Sequence, residues 1–225
     1  PATSTVTGNS IVMSDIERRS HRNISLWKDF WIHLNARQEH KPIMRAALTN
    51  ALSVIEVGCG TGEFLINFLR CTNAKKSLGV DLSITAIKKA ASYQVPPGVE
   101  TEWYAADMAN MKTVDPYNLV IANQVVEHFR DPVKVIKSLQ KMAHMVLVIT
   151  PYKENVPPPT RTQLDGSDSH MLSIDESTYA HLPVVEDMIF FSLEGWGASR
   201  TGECPLQYAA LIQGAPGAKI KGDDR

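Results

Sequence analysis

The stretch Val54-Ile55-Glu56-Val57-Gly58-Cys59-Gly60-Thr61-Gly62 decides how the rest of the chain is read. An apolar run of strand length enters three glycines spaced two apart, and a helical pattern follows with Phe64, Leu65, Phe68 and Leu69 on one side. A strand running through a glycine turn into a helix is the opening unit of a βαβ fold. Gly58 and Gly60 have no side chains, so a ligand can approach the backbone closely. The helix that starts after Gly62 aims its free N–H groups and positive dipole end at a nearby anion such as a carboxylate.

Working outward, strands are expected at residues 53–57, 77–80, 100–105, 117–122 and 145–149, each bounded by turn or helix signals. Helices are expected at 63–70 and at 84–92, the second capped by Ser83. Another should run from the Asp131-Pro132 start to about residue 142. This alternation implies right-handed crossovers and a mostly parallel sheet. The rhythm then changes. Residues 153–169 are polar, contain Pro157-Pro158-Pro159 and read as an irregular loop or lid, and Ser173 with Glu176 reads as a capping box. Strands at 188–193 and 206–212 have no helix between them and are expected to be antiparallel to each other. Before the first strand, Trp27, Phe30, Trp31 and Leu34 recur at helical spacing, and a second helical pattern spans 43–52. Residues 1–14 read as a tail.

The bulk properties are those of a globular domain. The chain has 225 residues, 44% hydrophobic and 21% charged, with a formal net charge of −1. That charge argues against wrapping a nucleic acid or lying on an acidic membrane. No apolar run approaches the roughly 20 residues that cross a bilayer. Residues 1–10 lack the order of a secretory signal. Cys59, Cys71 and Cys204 are an odd few without metal spacing, which suits a reducing compartment, and the expected location is the cytoplasm.

Ligands of an open parallel sheet bind beyond the carboxyl ends of its strands. Four features fall there: the glycine run, Asp81, Asp107, and residues 123–128. Asp81 comes about 20 residues after the glycines, where a carboxylate can accept bonds from both hydroxyls of a ribose. Dinucleotide sites prefer G-x-G-x-x-G, whereas Gly62 comes one residue early. Glu56, just before the first glycine, suits a cationic ligand better than a pyrophosphate. A dehydrogenase therefore fits poorly.

In these stretches (residues 54–62, 78–83, 105–108 and 122–128) the chain resembles the class I S-adenosylmethionine-dependent methyltransferases, in particular the ubiquinone-pathway O-methyltransferases. The likeness covers roughly residues 52–152. It implies an α/β, Rossmann-like, seven-stranded mostly parallel sheet with helices on both faces and an antiparallel last strand. The whole of residues 1–225 would form one domain, with 1–50 as N-terminal tail and helices, a candidate cap over the substrate. Residues 51–152 would be the cofactor-binding core, 153–182 the lid, and 183–225 the closing strand pair and tail. The resemblance further implies S-adenosylmethionine as cofactor, contacted by Glu56, Gly58, Cys59, Gly60 and Asn123. Asp81 would bind the ribose, Asp107 the adenine amino group, and Leu82 and Met108 would flank the ring.

Methyl transfer needs orientation above all, and a hydroxyl acceptor also needs a base. His128 is the candidate base, with His170 as a second catalytic residue. The expected acceptor is a small molecule, with oxygen ahead of nitrogen, and neither a nucleic acid nor a membrane is an expected partner. A resident metal is not favoured. The alternative is a divalent ion on Glu127, His128 and His170, because Glu127-His128 resembles part of the E-x-x-E-H metal motif of RNA 3′-terminal 2′-O-methyltransferases. Gln124 replaces its first glutamate. A non-enzymatic S-adenosylmethionine-binding module is the remaining reading.

Overall fold

Ser53–Val57 forms an interior strand, β1, with every residue after Ser53 buried. A strand covered on both faces has no use for alternating polarity, which is why Val54-Ile55-Glu56-Val57 reads as a nearly continuous apolar run. The computed structural model describes residues 15–36, 41–108, 111, 115–153, 155–156, 170–192 and 206–215, with backbone only for 15–23. Along the chain follow α1 (Asp15–Asn35), α2 (Pro42–Asn50), β1, α3 (Glu63–Arg70), β2 (Lys76–Asp81), α4 (Ile84–Ala90), β3 (Glu100–Ala105) and β4 (Tyr117–Asn123). After a 3-10 turn at Val126–His128 come α5 (Pro132–Leu139), β5 (Ala143–Pro151), a second 3-10 turn at Glu176–Tyr179, β6 (Val184–Phe191) and β7 (Leu206–Gln213).

The seven strands lie in the order β3-β2-β1-β4-β5-β7-β6. The first five in that row are parallel, and β7 is antiparallel to both β5 and β6. This is the expected mostly parallel sheet with an antiparallel last strand. Chain order reverses between β1 and β4, which opens a crevice beyond their carboxyl ends. One apolar cluster packs α1, α2 and α3 on one face, and the other packs α5 and the Glu176–Tyr179 turn on the opposite face. Leu26, Trp27, Phe30 and Leu34 of α1 are all buried, so the aromatic stripe belongs to the core. No helix among the described residues is long and apolar enough to cross a membrane.

Several boundaries differ from the sequence expectation. Helices α4 and α5 end at Ala90 and Leu139, because Ser92 N–H donates to Lys89 O and Met142 N–H to Leu139 O, the tighter 3-10 pattern. The capping box is not Ser173 with Glu176. It is Asp175 with Thr178: the Asp175 carboxylate accepts from the N–H of Ser177 and Thr178, and the Thr178 hydroxyl accepts from the N–H of Asp175. A carboxylate two residues nearer the turn takes the N-cap position, while Ser173 stays exposed.

Strand β6 begins at Val184, not Met188, and so includes Glu186 and Asp187. Two acidic residues hide a strand from pattern reading, but both are used. Glu186 Oε2 accepts from Met44 N–H at 2.7 Å at the start of α2, where an anion is favoured. Asp187 Oδ2 accepts from Tyr208 Oη at 2.7 Å and pairs with Lys41 at 3.8 Å. The tail, most of the 153–169 loop and the 195–202 turn region lie outside the described residues, as do the side chains of Arg18, Arg19, His21 and Arg22.

Trp103 of β3 lies over Gly79 of β2. A Cβ added at Gly79 would sit 2.3 Å from two ring atoms of Trp103 and 3.2 Å from Cys59 Sγ. A rigid ring cannot yield by an ångström without moving its strand. Gly79→Ala is expected to cost about 1–3 kcal/mol, seen as a lower denaturant midpoint at unchanged slope.

Candidate active site

The glycine turn is shaped by its backbone. Gly58 and Gly60 have φ of 65° and 53°. A Cβ on Gly58 would lie 2.4 Å from Val125 Cγ2, so the turn after β1 and the turn after β4 touch across the switch point. Cys59 N–H donates to Val80 O at 2.9 Å, continuing the β1–β2 ladder. The Cys59 side chain is buried and its Sγ–H donates to Gly60 O at 3.7 Å, so this residue offers a ligand only its backbone.

Asp81 ends β2 and ties two loops together. Gly60 N–H donates to its Oδ2 and Ser83 N–H to its Oδ1, each at 2.8 Å. Each oxygen keeps lone-pair capacity, and the residue is only half-buried. Next to it, Leu82 is 67% exposed, and Ile84 two residues on is 55% exposed. Asp107 is exposed just beyond β3, and Met108 packs its apolar side against the α5-side cluster.

Glu56 is the unusual group. It is buried, and its Oε2 has no hydrogen-bond partner among the described residues. Desolvation raises its pKa well above the usual carboxylate value, and the charges of Glu63 and Asp81 push in the same direction. Glu63 is differently placed: its two oxygens accept from Thr61 Oγ1 and Tyr93 Oη, both at 2.5 Å. A buried carboxylate with an unused oxygen, beside a glycine cradle, fits a ligand that brings a cation.

At the end of β4, Asn123 is buried with Oδ1 unbonded among the described residues. The turn that follows carries Glu127 and His128. Met171 N–H donates to Glu127 O at 2.7 Å, which brings the end of the 153–182 segment back over the turn. The rings of His128 and His170 meet edge to face, centroids 4.8 Å apart. Glu127, His128 and His170 offer ligand atoms that all lie within 4.8 Å of one another. Residues 42 positions apart are thus brought together.

A family model described as "Methyltransferase domain" matches residues 18–169. The chain belongs to this family. It is an S-adenosylmethionine-dependent methyltransferase domain, and the buried Glu56 oxygen and the glycine cradle fit that cofactor. The chain is 28% identical over 92 residues to a ubiquinone biosynthesis O-methyltransferase of Bordetella bronchiseptica, a match covering 40% of this chain and 37% of that one. It thus spans well under half the length of the curated relatives it matches. Magnesium protoporphyrin IX methyltransferase from Synechocystis, solved with bound S-adenosylmethionine, superposes with a TM-score of 0.54 at 14% identity, covering 90% of this chain and 85% of that chain. A methyltransferase of Haloferax volcanii, solved with its Trm112 activator, gives a TM-score of 0.60 at 14% identity, covering 92% and 98%. Both likenesses are of fold.

Sequence reasoning passed over Gln207 and Ser192, which are buried at the same carboxyl edge, and the amide contact between Gln124 and Gln207. A signal was present: glutamine is out of place in Leu206–Gln213, a strand with six consecutive buried residues.

Proposed function

We propose that this domain transfers the methyl group of S-adenosylmethionine to an oxygen of a small-molecule acceptor, with His128 as the general base. The observation that supports this reading is the close approach of Val125 to Gly58, which joins the turn carrying His128 to the glycine turn. The cofactor supplies an activated sulfonium-bound methyl group, so the protein's task is to orient and to move one proton. Glu56 holds the ligand's ammonium, Asp81 its ribose hydroxyls and Asp107 its adenine amino group. Leu82 and Met108 cover the ring. His128 accepts the proton of the acceptor hydroxyl, and the edge-on His170 ring keeps it oriented. Oxygen is favoured over nitrogen because the stretch shared with the Bordetella relative is shared with an enzyme named for O-methylation. We place the protein in the cytoplasm, in keeping with its free thiols at Cys59 and Cys71.

The test is a screen of phenols, alcohols and amines scored by S-adenosylhomocysteine release. His128→Ala is expected to lower kcat on a hydroxyl acceptor by about 10²–10⁴-fold while S-adenosylhomocysteine affinity stays unchanged. Unchanged kcat would remove the base role. Cofactor binding without turnover of any acceptor would leave a binding module instead.

One observation favours a second reading, a metal-dependent 2′-O-methyltransferase acting on RNA ends: the Glu127–His128–His170 cluster. Against it, Gln124 Nε2 donates to Gln207 Oε1 at 2.9 Å, so its amide is turned to another partner, and the net charge of −1 gives phosphates little to bind. Turnover that requires Mn²⁺ or Mg²⁺, with RNA affinity falling steeply as salt rises, would select this reading.

A further inference from the structure

The α1 side of the sheet ends in a row of polar groups that no apolar core requires. Strand alternation places them. Val54, Ile121, Phe190 and Ala209 all belong to the α1-side cluster. Their neighbours two residues away, Glu56, Asn123, Ser192 and Gln207, therefore face the same side. All four are buried, and Glu56 Oε2, Asn123 Oδ1, Ser192 Oγ and Gln207 Nε2 have no hydrogen-bond partner among the described residues. The row crosses from β1, beside the glycine turn, to the β7–β6 pair at the far edge.

At its centre two carboxamides meet. Gln124, held at φ 55° just after β4, donates from Nε2 to Gln207 Oε1 at 2.9 Å. Gln124 Oε1 is left buried without a hydrogen-bond partner among the described residues, as is Gln207 Nε2. The pair thus presents one acceptor and one donor. Gln124 Nε2 also donates to Ile149 O at 3.5 Å, and an oxygen in its place would face that carbonyl oxygen, so the two amides keep this orientation. Buried orphans of this kind are costly unless something pairs with them.

We propose that Gln124 and Gln207 form the recognition site for the methyl acceptor, and that they bind a neutral edge carrying a hydrogen-bond donor beside an acceptor. A carboxamide, lactam or imide matches this edge. A carboxylate has no donor for Gln124 Oε1, and an ammonium has no acceptor for Gln207 Nε2. The proposal rests on the methyltransferase reading above and adds the chemical class of its substrate.

The test uses benzamide, benzoate and benzylamine as probes, each titrated by saturation-transfer NMR into protein loaded with S-adenosylhomocysteine. Benzamide is expected to bind at least tenfold more tightly than either charged isostere. Gln207→Leu should abolish that preference while S-adenosylhomocysteine still binds as in wild type. Gln124→Leu, at a half-buried position, should do the same if the first variant fails to fold. Gln207→Glu, which offers acceptors only, should shift the preference to benzylamine. Equal binding of the three probes, or a benzamide preference untouched by these substitutions, would overturn the proposal. Failure of wild-type protein to bind S-adenosylhomocysteine would instead overturn the methyltransferase reading.

Discussion

Glutamine in place of Glu56 is expected to make the ligand-free domain more stable and its cofactor affinity far weaker. Glu56 is buried with one oxygen unbonded among the described residues, and its pKa is raised by burial and by the nearby carboxylates. The unfolded chain carries an ordinary glutamate, with a pKa of about 4.3. Folding therefore takes up a proton at any pH between that value and the raised one. The resulting penalty is absent below about pH 4, opens by up to about 1.4 kcal/mol per pH unit above it, and levels off once pH passes the raised pKa. Glu56→Gln removes the penalty but leaves buried amide donors, so a net gain of about 1–2 kcal/mol is expected near pH 7.5. That corresponds to roughly 2–8 °C in Tm, and the gain should vanish near pH 4.

In the proposed binding mode the ligand ammonium would reverse this balance by favouring the ionised carboxylate. Wild-type binding should release a proton and strengthen as pH rises toward the raised pKa. Removing one partner of such a buried charge pair typically costs about 2–5 kcal/mol, roughly 30- to 5000-fold in Kd. Calorimetry in two buffers of different ionisation enthalpy reads both the affinity and the proton. Wild-type affinity in the variant would show that Glu56 does not hold the ammonium.

Asp81 gives the second large effect, with the opposite consequence for stability. Its oxygens hold the Gly60 and Ser83 amides, so it positions both loops before any ligand arrives. Two further bonds to ribose hydroxyls, at about 1.5–3 kcal/mol each for a charged acceptor, would be lost together in Asp81→Ala. S-adenosylhomocysteine affinity should fall by about 100-fold or more, and the apo domain should lose stability as well. Asp81→Asn keeps one acceptor oxygen and should fall between. If both variants bind like wild type, the ribose lies elsewhere.

Much of this molecule was legible in the order of its residues. The span of β1, α3 and β3, the cap on α4 and the glycine turn all depend on contacts within a few positions of one another. Local rules of periodicity, capping and turn chemistry describe such elements well. The features that escaped depend on residues far apart. Glu186 and Asp187 make β6 look unlike a strand until Met44, Lys41 and Tyr208 supply partners. Ser173 is a reasonable cap by spacing, but Asp175 reaches the turn.

By itself, then, the sequence determined the α/β class, the strand that opens the crevice, and the residue types at each carboxyl end. Those properties follow from local patterning. Only the tertiary structure decided that His170 meets His128, that Gln207 meets Gln124, and that Glu56 keeps a buried oxygen unused. Such facts arise where distant segments pack together. Whether a polar group is satisfied is a property of its neighbours in space, and no spacing along the chain encodes it.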